Sequence, residues 1–150
     1  MFIADAQVHV WAPNTPERPW APGNVHREVP LEAAQVLRAM DAAGVHRTVL
    51  VPPSLDADRN DLSLAAAQKH PDRFAVMGRL DPDAPGARSA VAEWRRQPGM
   101  RGLRYSLNRP KWIPISVSPV ASLPPARFRC LRPETHVLGH GLLAAAVFLP

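Results

Sequence analysis

The chain has 150 residues, 46% of them apolar and 21% charged, with a net charge of +5; this balance is globular and excludes wholesale disorder. The longest apolar run, Leu142 to Leu149, is far short of the ~20 residues of a membrane helix. The amino terminus has no basic region followed by an apolar stretch, so the expectation is a soluble, cytoplasmic protein with no membrane partner. The single cysteine, Cys130, excludes an internal disulfide and carries no motif.

In chain order, residues Phe2 to Trp11 form the first strand candidate, mostly apolar as a buried parallel strand should be. Residues 12–30 read as a long loop with five prolines. Leu31 to Ala43 has helical spacing at Leu31, Ala34, Leu37 and Ala42, and Gly44 follows in the position helices favour for their end. Thr48 to Val51 is a second strand closed by Pro52-Pro53. Asp61 to Lys69 is a helix, with Asn60 as its N-cap and Pro71 beyond its end. Phe74 to Asp81 is a third strand, Gly86 to Gln97 a third helix, and Met100 to Tyr105 a fourth strand. Alternation at this spacing predicts right-handed crossovers and a parallel sheet. No Gly-rich phosphate fingerprint follows the first strand, which disfavours a dinucleotide-binding fold.

The texture changes near Pro110. Residues 111–150 hold six prolines and four basic residues against one acid, Glu134. Periodicity is lost there until the apolar end, so residues 112–135 are expected to add no strand or helix. The division is an α/β region over 1–110 and an irregular, Pro-rich basic tail over 111–150. Four basic residues without interleaved aromatics make a weak nucleic-acid surface, and no nucleic-acid partner is expected.

In a parallel barrel, chemistry gathers where the strands end. Gln7 and His9 are two apart, hence on one face of the first strand. His9 is a metal ligand, an acid–base group, or a core histidine with satisfied bonds. Asp5, two residues earlier, is expected on the same face as a structural partner. Arg79 and Arg104 end neighbouring strands. Together they make a site for a carboxylate, or each is an ion-pair partner of Asp81 or Asp5. Trp11 and Trp20 are candidates for a pocket wall or for the core. His136 and His140 are four apart but flanked by glycines, with no Glu between them, so the zincin pattern is absent.

The segment from Ile3 to Trp11 resembles the opening strand of the amidohydrolase superfamily, in its amidohydrolase-2 branch of metal-dependent TIM-barrel hydrolases, which includes lactonases. Similar matches follow at Gly44 to Pro52, Asn60-Asp61, His70 to Phe74, Gly78 to Asp81 and Gly99 to Arg104. The resemblance covers residues 2 to about 110. It implies a (β/α)₈ barrel, of which about four N-terminal βα units lie here. It also implies hydrolysis of a lactone, ester or amide of a small carboxylate-bearing substrate. His9 takes the place of the second histidine of the family's His-x-His pair, as catalytic residue and metal ligand. Gln7 takes the place of the first. The implied cofactor is one divalent metal, zinc or manganese, and with an amide for an imidazole the expectation is weak binding or none. Arg79, Arg104 and Trp11 are the expected substrate-binding residues.

After about Lys111 the resemblance ends, and the composition of 111–150 suits an early stop or a change of reading frame. The family's general base is not among the matched positions, so little hydrolysis is expected. The alternative to an enzyme is a non-catalytic half-barrel that self-associates through two exposed sheet edges. The apolar end, Leu142 to Leu149, is expected either to cover an open edge or to promote aggregation.

Overall fold

The structure is a computed structural model that describes residues 1–22, 29–106 and 144–148. Its elements are β1 (Ala4–Val8), α1 (Ala33–Ala43), β2 (Arg47–Leu50), α2 (Asp61–Lys69), β3 (Phe74–Gly78), α3 (Ala87–Glu93), β4 (Met100–Ser106) and β5 (Ala144–Phe148). Short 3₁₀ turns occupy Ser54–Asp56 and Trp94–Arg96. The sheet order is β1-β2-β3-β4-β5. The first four strands are mutually parallel, as the βα alternation predicts. This is an α/β fold with the opening units of a (β/α) barrel.

One core holds the helices against the sheet. Val36 and Met40 of α1, Ala66 and Ala67 of α2, and Trp94 after α3 join a cluster with Val10, Leu50, Phe74, Val76, Met100 and Leu103. The register aligns Thr48 with Phe74 and Leu50 with Val76, so alternate residues present the buried face to the helices. The opposite face, which lines the interior when a barrel closes, carries the intervening residues.

α1 begins at Glu32 with a reciprocal capping box: the Glu32 N–H donates to Gln35 Oε1 at 2.8 Å, and the Glu32 side chain accepts from the N3 backbone. It ends at Gly44, whose φ of 68° is costly for any residue with a Cβ. The buried face is not the one marked out by Ala34 and Ala42, which are exposed; it runs through Val36 and Met40, one turn apart. Alanine marks a helix face poorly because it is tolerated in core and solvent alike.

β1 also departs from expectation. Ala4 to Gln7 are exposed, because β1 is the edge strand and its residues have a neighbour on one side. Its register to β2 steps from Asp5↔Thr48 to Val8↔Leu50, three residues against two. The extra residue is a bulge. Asp5 Oδ1 accepts the Gln7 N–H at 3.0 Å across it. The bulge changes the parity: Asp5 falls in the row of Thr48, on the helix-side face, while Gln7 and His9 take the other. The expectation that Asp5 shares a face with them is corrected.

β5 pairs antiparallel with β4, from Gly102↔Phe148 to Ser106↔Ala144. The tail is therefore not irregular throughout, and the β4 edge expected to be open is covered. β5 comes from the apolar run at the end of the chain, and its direction is opposite to that of a fifth barrel strand. Cys130, His136, His140 and the stretch 112–135 lie outside the described residues. No helix among the described residues is long and apolar enough to cross a membrane.

Candidate active site

Because β1 to β4 are parallel, their C-terminal ends lie along one end of the sheet. His9 follows β1 there. Its Nδ1 is 2.6 Å from the carbonyl oxygen of Val51, just beyond β2. A carbonyl only accepts, so Nδ1 carries the proton in this contact and Nε2 is the acceptor of the neutral ring. Gln7 Nε2 lies 3.5 Å from that Nε2. β1 and β2 are laced together here, since the Val51 N–H donates to the Val8 carbonyl at 2.8 Å. The imidazole is thus fixed in tautomer and orientation by a backbone group.

Two strands away, the register brings the arginines together. Met77 aligns with Gly102 and Gly78 with Leu103, so the next step sets Arg79 opposite Arg104. Both fall on the face that carries Met77 and Gly102, away from the helices. β4 carries a bulge between Met100 and Gly102. Without that extra residue Arg104 would turn to the helix side. Counting residues from strand start to strand end does not reveal such a step.

The electrostatics of the pair are unusual. Arg79 is largely buried and makes an ion pair with Asp58, Nε to Oδ1 at 3.6 Å. The partners named by sequence position, Asp81 and Asp5, are replaced by a residue from the turn before α2. Arg79 Nε and Nη1 and Arg104 Nε are buried without a hydrogen-bond partner among the described residues. Burial first, and then the neighbouring Arg79 charge, pushes the Arg104 guanidinium below its ordinary value. Two like charges side by side with unspent donors are costly without an anion between them.

Trp11 is buried, outside the helix–sheet cluster, and its indole N–H has no partner among the described residues. Its backbone pairs with Leu31, at 3.0 and 3.1 Å, which draws the start of α1 toward the strand end. Trp20 donates from Nε1 to the Ala12 carbonyl at 3.0 Å and so belongs to the fold of its own loop. From β1 to β3 is two strand spacings, or about 10 Å. His9 and Arg79 thus follow strands two places apart at the same end of the sheet, with Arg104 one strand further.

Among the described residues, no three His, Cys, Asp or Glu side chains come together as a ligand set. Gln7 and His9 offer an amide and one imidazole nitrogen, fewer than the three protein ligands of a catalytic zinc site. The described residues do not fit such a centre.

Sequence reasoning missed Asp58 and the second role of Asn60, which is the N-cap residue of α2 as expected. The Asn60 side chain makes no cap hydrogen bond. Its Oδ1 accepts the Arg79 N–H at 2.7 Å, and its Nδ2 donates to the Arg79 carbonyl at 2.9 Å. The only signal was the appearance of Asn60-Asp61 among the family-like segments.

No family model matches the chain, and no curated protein matches it. Among solved structures it is similar to a probable 2-pyrone-4,6-dicarboxylic acid hydrolase from Acinetobacter baumannii, crystallised with citric acid bound. The TM-score is 0.58 and the identity 22%, over 75% of this chain and 43% of that one. The chain thus spans less than half the length of that hydrolase. The likeness establishes the fold.

Proposed function

We propose that the chain belongs to a hydrolase of the amidohydrolase-2 type, acting on a lactone, ester or amide of a small substrate that bears a carboxylate. The observation that carries this reading is that Arg79 and Arg104, one step past the Gly78–Leu103 pairing, have buried guanidinium nitrogens with no hydrogen-bond partner among the described residues. A carboxylate accepts such donors two at a time. That the similar hydrolase is described with a dicarboxylate substrate class and with citric acid bound is in keeping with it.

In this reading the arginines hold the carboxylate and Trp11 walls the site. The scissile carbonyl then lies toward β1. His9, with Nδ1 committed to Val51, accepts at Nε2 the proton of the attacking water. The new bond joins the water oxygen to the carbonyl carbon. The bond to the leaving oxygen breaks, and that oxygen takes the proton from Nε2. Gln7 orients the imidazole and the water.

The first test is calorimetric titration of the chain with citrate. Binding by the parent and its loss in Arg104→Ala is expected; a parent that binds no citrate overturns the reading. The second is hydrolysis of a carboxylate-bearing lactone beside His9→Ala. Slow turnover lost on substitution keeps His9 in the chemistry, and turnover unchanged removes it.

A second reading is a non-catalytic half-barrel that pairs with another copy. Among the described residues the outer edge of β1 has no strand partner, and Met1, Phe2 and Ile3 beside it are exposed. Sedimentation of the parent as a dimer, broken by Ile3→Lys, would favour it; a monomer at high concentration would remove it.

A further inference from the structure

We propose that Asn60 is a positioning residue for the anion site: its carboxamide takes the place of the missing β2 backbone at the end of β3 and holds Arg79 beside Arg104. The inference rests on the carboxylate reading above and adds to it the residue that sets the geometry of the pair.

The need for such a residue follows from where β2 ends. The β2–β3 register pairs Thr48 with Phe74, Val49 with Ala75 and Leu50 with Val76. Continued, it sets Arg79, the residue after β3, opposite Pro53, and in a parallel ladder its bonds would go to the residues on either side of that partner. β2 has ended at Leu50 and Ser54–Asp56 turn away as a 3₁₀ helix, and the Arg79 N–H and carbonyl are bonded by Asn60 instead.

The Asn60 amide serves both. It accepts from the Arg79 N–H at 2.7 Å and donates to the Arg79 carbonyl at 2.9 Å. A side-chain carboxamide has the acceptor and donor pattern of a peptide group, so it ends the sheet as one more backbone unit would. Its other amide hydrogen reaches the Asp58 carbonyl at 3.2 Å. The same side chain thus fixes the turn that brings the Asp58 carboxylate within 3.6 Å of Arg79 Nε. One residue sets the cation and its counter-charge together.

Two further observations fit this role. Asn at an N-cap ordinarily accepts from the helix N–H groups, yet no side-chain cap bond is made here; the oxygen is spent on the strand. Gly78, the residue before Arg79, leaves the room. A Cβ there would lie 2.8 Å from Asn60 Oδ1, and 2.7 Å from Met100 Cε and Trp94 Cζ2.

The experiment uses the full chain with citrate as the probe. Asn60→Ser puts a residue able to cap α2 at the same position but is too short to bridge both backbone groups. It is expected to bind citrate about tenfold more weakly in calorimetry, with the α2 helical signal kept and the Arg79 amide exchanging faster. Asn60→Ala should match it, which separates positioning from capping. Citrate affinity unchanged in Asn60→Ser, while Arg104→Ala loses it, overturns this inference and leaves the carboxylate reading standing. A parent chain that binds no citrate overturns the reading, and the positioning role with it.

Discussion

Two arginine sites in this molecule are built in opposite ways. Arg18, in the loop after β1, spends its donors on the protein. Its Nε and Nη2 reach the two carboxylate oxygens of Asp56, the Nε contact at 3.0 Å. Its Nη1 and Nη2 reach those of Asp61 at 2.7 and 2.9 Å. Asp56 is 2% exposed and also accepts from Arg59 Nη1 at 3.2 Å. With the Ala21 N–H donating to the Leu55 carbonyl at 2.7 Å, this cluster straps the loop onto the turn before α2. At the other site, Arg79 Nε and Nη1 and Arg104 Nε have no hydrogen-bond partner among the described residues. A saturated arginine holds a fold together; in the function proposed above, the unsaturated pair takes an anion. Residue type does not tell these roles apart, whereas the count of satisfied donors does.

If the contrast is sound, the two sites should fail differently. The largest stability effect is expected from Arg18→Ala. It strips the main partner from the buried Asp56 and should cost about 3 kcal/mol, read in a denaturant titration. Loss under 0.5 kcal/mol would mean that the strap is ornamental.

Arg104→Met should act on binding instead. Citrate affinity should fall about 100-fold, or about 2.7 kcal/mol. Stability should stay level or rise, because a buried and poorly paired charge is replaced by an apolar chain of similar length. A marked loss of stability would move Arg104 into the structural class.

Gly78→Ala tests the support of the second site. The close approaches to Met100, Trp94 and Asn60 predict a cost of about 2 kcal/mol from overpacking, together with weaker citrate binding. Stability lost with binding intact would uncouple the core from the arginine pair.

The smallest effect concerns pH. The Arg18 hydrogen bonds hold the Asp61 carboxyl below its ordinary value of 3.8. A carboxyl lowered in the folded state contributes stability that is fully present above its unfolded pKa and lost as pH falls through the folded one. Asp61 is largely exposed, so the term should be below about 1 kcal/mol. In Asp61→Asn the acid limb of stability below about pH 4 should be shallower than in the parent. An identical limb would assign acid sensitivity elsewhere.

The order of elements was legible because it depends on local signals. Gly44 after α1, Pro71 after α2, and the apolar runs at Thr48 to Val51 and Phe74 to Asp81 mark elements wherever they occur. The four parallel strands follow from the alternation. The side chains of Gln7 and His9, two apart, come within 3.5 Å of each other. Asp5 was misplaced because a bulge intervenes, and a bulge leaves no trace in composition. Asn60 read as the cap of α2, where the structure has it; its side-chain partner, Arg79, was hidden because it is nineteen residues away.

The sequence by itself determined the βα alternation, the helix ends and the concentration of His9, Arg79 and Arg104 at strand ends, because periodicity, capping and proline placement act over a few residues. Tertiary structure alone decided that β1 is an exposed edge, that Ala144–Phe148 runs antiparallel beside β4, and that Arg79 and Arg104 stand opposite each other while Arg18 is neutralised. Those outcomes depend on register and on which charged groups are brought within hydrogen-bonding reach across tens of residues, and no local pattern encodes either.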